Sequence, residues 1–76
     1  MLTPQQVIDQ YFLDHRCALI ELAAFLDRYD AAVNRSGEPE DDHRLELIHR
    51  ALEALRQPTP EEGHATCLLR LFEADA

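Results

Sequence analysis

The sequence contains no tryptophan and no lysine, only two glycines and two cysteines, and five aromatic residues in all. Each scarcity excludes something. With Gly37 and Gly63 as the only glycines, no Gly-rich loop can cradle a phosphate. Cys17 and Cys67 are far apart, so no disulfide framework is readable, and each is expected to be a small buried apolar residue with a reduced thiol. No apolar run is long enough to cross a bilayer. The N-terminal MLTPQQ lacks a charged segment followed by an apolar one, so no signal peptide is expected and the cytoplasm is the expected compartment. All basic residues are arginine, and acids outnumber them fifteen to seven, for a formal charge of −8. That sign repels phosphate backbones and anionic lipid, which argues against nucleic-acid or membrane partners.

At 76 residues the chain has room for a single small domain, residues 1–76. Chains of this size bury a limited core and often need oligomerisation, a metal or disulfides to be stable. Period-two alternation is absent, so the expected class is all-α.

A first helix is expected over residues 4–34. Thr3 suits the N-cap, Pro4 the first helical position and Gln6 the reciprocal position of a capping box, with Leu2 and Val7 at the staple positions. Ser36, Gly37 and Pro39 signal a turn. A second helix should begin near Asp41 or Asp42, either of which could cap it, and end at Arg56 before Pro58. Its apolar stripe is Leu45, Ile48, Leu52 and Leu55, widened by Ala51. Thr59, Pro60 and Glu62 have the spacing of a second capping box, opening a third helix with Ala65, Leu68, Leu69 and Phe72 on its apolar side. Gly63 would weaken the first turn of that helix by about 1 kcal/mol relative to alanine. The expected architecture is a long first helix packed antiparallel on the shorter second and third helices. The third either continues the second as a broken arm of a hairpin, the preferred reading, or folds back into a compact bundle.

The first helix has two apolar stripes. One is Ile8, Phe12, His15, Leu19, Leu22, Leu26, Tyr29 and Val33; the other is Leu13, Cys17, Ile20, Ala24, Asp27 and Ala31. Both alternate spacings of four and three, and they lie more than a right angle apart at about 100° per residue. The second and third helices can cover only one. The expectation is a homodimer formed through the Leu13, Cys17, Ile20 and Ala24 face, the commonest kind of small assembly. The competing arrangement is a three-helix monomer with both stripes covered internally.

Chemistry is harder to find. His15 and Asp27 interrupt the stripes. His15 reads as a core histidine bonded to Tyr29 or a backbone carbonyl, and Asp27 as half of an Asp–Arg pair within the chain or across the dimer. Glu46 and His49 have the Glu-x-x-His spacing that places two metal ligands on one helix face, and Asp27 is the best third ligand for a ferritin-like carboxylate site. However, both flank the leucine stripe of the second helix, as residues of a solvated face do, so no metal or cofactor is assigned. His64 and Cys67 also stand at helical spacing but lack the second pair that zinc requires, and no carboxylate can be placed to orient a Cys–His nucleophile. No catalytic residue is assigned, and an interaction module is favoured over an enzyme.

Asp14, Arg16 and the run Ala23–Arg28, which reads AAFLDR, resemble a group of short uncharacterised bacterial helical proteins. In that group the first helix reads acid-x-Arg and then a leucine-rich stretch with the same ending. DDHRLE and LLRLFEAD follow the same plan. The resemblance spans most of the chain and implies an all-helical fold with no known activity. Asp14 departs from it where the group carries glutamate, and His43 and His49 lie outside its pattern, which makes the Glu-x-x-His pair peculiar to this chain.

Overall fold

The computed structural model describes residues 1–37 and 43–74. They form three α-helices and, among the described residues, no strand: α1 (Pro4–Ser36), α2 (His43–Arg56) and α3 (His64–Glu73). The chain divides into two compact units, Met1–Glu40 and Asp41–Ala76. The expected caps of α2, Asp41 and Asp42, lie outside the described residues.

In the first unit, α1 is 33 residues long, about 50 Å at 1.5 Å per residue. Its start is the expected capping box. The Gln6 N–H donates to the Thr3 hydroxyl at 3.1 Å, and the Thr3 N–H donates to the Gln6 side-chain oxygen at 2.9 Å. Two otherwise orphaned donors are thereby satisfied, while Pro4 occupies a position whose N–H would have had no partner. The helix runs two residues past its expected end. Ser36 remains helical and turns its hydroxyl back onto the Val33 carbonyl at 3.4 Å. The stop is Gly37, whose left-handed backbone (φ 84°, ψ −12°) lets its N–H reach the same carbonyl at 2.8 Å. That is the simple left-handed C-cap, which glycine adopts without steric cost.

In the second unit, α2 and α3 pack against each other across the Gln57–Gly63 loop. Among the described residues the buried ones are Leu47 and Ala51, one turn apart and only 8% and 7% exposed. The expected stripe needs correction. Leu45, Ile48 and Leu52 are half-buried and Leu55 is exposed, so the covered arc centres to one side of the stripe, on a residue absent from it.

The α3 helix departs further from expectation. It begins at His64, after Gly63, with no side-chain cap. The residues expected to form its capping box make a turn instead, closed by the Gly63 N–H on the Pro60 carbonyl at 3.0 Å. Glu62 pairs with Arg70 at 3.0 Å, and the Thr59 hydroxyl meets Nε2 of His64 at 3.2 Å. The cause is the Gly63 backbone at φ 90° and ψ 156°, a region almost closed to other residues, which breaks the helix between Glu62 and His64. Glycine here is the breaker itself and not a weak link inside a first turn. The α3 face is also rotated: Cys67, Leu68 and Leu71 are half-buried, while Ala65, Leu69 and Phe72 are exposed.

Candidate functional site

The largest unexplained feature of the surface is the apolar side of α1. No α1 residue is buried. Along the second stripe Leu13 is 65% and Ile20 53% exposed; Cys17, Asp27 and Ala31 are exposed too, and only Ala24 is half-covered. Along the first stripe the halves differ. Ile8, Phe12, His15 and Leu19 are exposed, whereas Leu22, Leu26, Tyr29 and Val33 are half-buried. Near the N-terminus, Val7, Ile8, Tyr11, Phe12 and His15 line a shallow depression. One long, well-capped helix thus holds a continuous set of large apolar side chains in water, where a soluble surface would carry polar ones.

His15 is exposed and so is not the core histidine expected, although it does bond to a backbone carbonyl. Its Nδ1 lies 2.8 Å from the Tyr11 carbonyl oxygen, and its ring meets the Tyr11 ring edge-on at 6.3 Å between centroids. Both partners sit one turn back on the same helix, so this contact is an internal feature of α1.

Asp27 does not find the arginine expected in its own chain. It is exposed and makes no ion pair among the described residues. The residues three and four positions away are Ala23, Ala24, Asp30 and Ala31, none of which offers a cation.

Glu46 and His49 are both exposed on α2. The Glu46 carboxylate accepts from the Arg50 guanidinium one turn on, at 3.4 Å. Among the described residues, no three His, Cys, Asp or Glu side chains gather as a metal-binding group. His64 is engaged with Thr59, and Cys67 is half-buried on α3. The expectation that both cysteines are buried fails at Cys17, an exposed free thiol in the middle of the second α1 stripe. A cysteine at an apolar heptad position is buried only if something packs on that position.

Three contacts went unread in the sequence. Leu47 sits among polar neighbours and off the leucine stripe, although its four-residue spacing to Ala51 was a readable signal. Thr59–His64 and Glu62–Arg70 depend on the turn at Gly63, which neither propensity nor periodicity reveals.

No helix among the described residues is long and apolar enough to cross a membrane. No protein-family model matches the chain, and it matches neither a curated protein nor a solved structure.

Proposed function

We propose that this chain is a small homodimeric structural or protein-interaction module of the cytoplasm, with α1 as its spine. In this reading α1 packs antiparallel on α2 along the Ile8–Val33 stripe; α3 does not extend α2 as the second half of a broken arm but folds back against it across Gln57–Gly63. It meets a second copy through Leu13, Cys17, Ile20 and Ala24. The resemblance to short bacterial helical proteins implies an all-helical fold with no known activity, which is compatible with this reading.

The observation that carries the reading is the exposure of Leu13 and Ile20 on one face of a 33-residue helix. Burying a leucine or isoleucine is worth about 1.5–3 kcal/mol, against a total stability of about 5–15 kcal/mol for a small domain. Two such residues left in water forgo a large share of that total, and a second copy of the same face recovers it. The ferritin-like alternative built on Asp27, Glu46 and His49 has less behind it, because Glu46 is already paired with Arg50 in solvent.

Light scattering or sedimentation equilibrium tests the assembly. The expected mass is twice that of the 8.7 kDa chain. Ile20→Glu should dissociate the dimer, because a charge buried without a partner costs several kcal/mol. A monomeric wild type, with Ile20→Glu folded as stably as the parent, sinks the proposal.

A further inference from the structure

Among the described residues, no charged side chain of α1 makes an ion pair, and four of them flank the exposed apolar row. Asp14, Arg16, Asp27 and Arg28 are exposed, and none makes an ion pair among the described residues. Their spacing explains this. On a helix, opposite charges pair at three or four residues, and none of the four has an opposite charge at that distance. Around Arg16 those positions hold Phe12, Leu13, Leu19 and Ile20. The α2 helix is built the other way, with Glu46–Arg50 and Glu53–Arg56 paired within it.

These charges border the exposed apolar row. At about 100° per residue, Arg16 and Asp27 fall on one flank of Leu13, Cys17, Ile20 and Ala24, and Asp14 and Arg28 fall on the other. The first flank also holds Asp9 near the N-terminus, and the second holds Glu21 between Asp14 and Arg28. Of the four residues named, base precedes acid on the first flank and acid precedes base on the second. An antiparallel two-fold pairing reverses the chain direction and leaves each flank facing its own copy, so acid meets base on both sides.

We infer that two copies of this chain pair antiparallel through α1, about a two-fold axis level with Leu22, and that Arg16–Asp27 and Asp14–Arg28 ion pairs between subunits set the register. This rests on the homodimer reading above and adds its orientation and alignment. With the axis at that level, Ile20 meets Ala24 of the partner subunit in the apolar row. Arg16 comes within one residue of level with Asp27 of the partner subunit. Asp14 comes within two residues of level with Arg28 of the partner subunit, an offset of about 3 Å that an arginine side chain spans. Symmetry repeats each pair, making four. The one like-charge approach is Glu21 with its own copy beside the axis. Sliding the axis half a heptad toward the N-terminus brings Asp9 beside Asp27 of the partner subunit, a like-charge contact. Sliding it equally far the other way carries Leu13 past the partner's Ser36, where α1 ends.

A charge swap tests the register. Asp27→Arg and Arg16→Asp should each raise the dimer dissociation constant at least about tenfold, and the double variant should return it to within about threefold of wild type. Glu21→Gln should tighten the dimer. Helix content by circular dichroism checks that each variant is folded. A second readout does not depend on charge: in a Cys17→Ala, Cys67→Ser background, spin labels on Asp9→Cys should lie about 40 Å apart, from 1.5 Å per residue on either side of the axis. A parallel dimer would bring them within about 20 Å. A wild type that is monomeric overturns the homodimer reading and this inference with it. A wild-type dimer whose double variant is not restored, or whose labels are close, leaves the homodimer and overturns the register.

Discussion

Nδ1 of His15 lies 2.8 Å from the carbonyl oxygen of Tyr11, one turn back on α1. A carbonyl only accepts, so Nδ1 is the donor in this contact. The bond is exposed, and the Tyr11 carbonyl has the ordinary helical acceptor role besides. His15→Ala is therefore expected to change stability by no more than about 0.5 kcal/mol, the range of surface substitutions. Urea denaturation measures this. A loss of 2 kcal/mol or more, on the scale of a buried network, would show that His15 is covered in the assembled protein.

Leu47 and Leu69 are the same residue type in opposite surroundings, 8% and 62% exposed. Leu47→Ala opens a cavity and should cost about 2–4 kcal/mol, whereas Leu69→Ala should cost less than about 1 kcal/mol. Paired melts of the two variants compare them directly. Equal losses would mean that α3 buries the Leu69 face in the assembled protein.

The two glycines should respond differently to alanine. Both have positive φ, and an added Cβ meets nothing within 4 Å at either. The cost is therefore backbone strain and not a clash. Gly37 sits in the left-handed helical region, where alanine costs about 1 kcal/mol. Gly63, at φ 90° and ψ 156°, lies in a region open to glycine almost alone, where strain reaches about 1–3 kcal/mol. Gly63→Ala should be the more damaging in thermal unfolding. A stabilising Gly63→Ala would instead support a continuous helix from Pro60.

Thr3→Ala removes the hydroxyl that accepts from the Gln6 N–H. A loss of about 1 kcal/mol is expected, with fraying of the first turn of α1. Amide hydrogen exchange at residues 5–7 should speed up while exchange in α2 stays unchanged. If α2 exchange rises equally, the protein unfolds as one cooperative unit.

Glu46→Gln should cost only a few tenths of a kcal/mol, since it breaks a single exposed pair one turn apart. Adding divalent iron, manganese or zinc should leave the melting temperature unchanged. A ligand bound only by the folded state must raise it. A rise that disappears in His49→Ala would establish the carboxylate–histidine site.

The division between what sequence determines and what packing decides follows the range of the interactions. The α1 capping box is legible because Thr3 and Gln6 are three residues apart, and its bonds form whenever that turn is helical. The helical class, the break before Pro58 and the solvated character of Glu46 and His49 are local in the same sense. The end of α1 lies two residues beyond what the sequence suggests, because Ser36 suits a turn or a last helical turn equally well and the glycine after it decides. The start of α3 is not legible in the sequence, because Thr59, Pro60 and Glu62 satisfy a capping pattern while the Glu62–Arg70 pair and the Gly63 turn draw on residues up to eight apart. Which side of α2 is covered is only partly legible: Leu45, Ile48 and Leu52 of the expected stripe are half-buried, but the most buried leucine is Leu47, beside it. Leu47 and Leu52 have equal intrinsic hydrophobicity, and only the packing of α2 and α3 distinguishes them. Periodicity names the residues able to be buried; burial itself requires a second surface, and only tertiary structure supplies one.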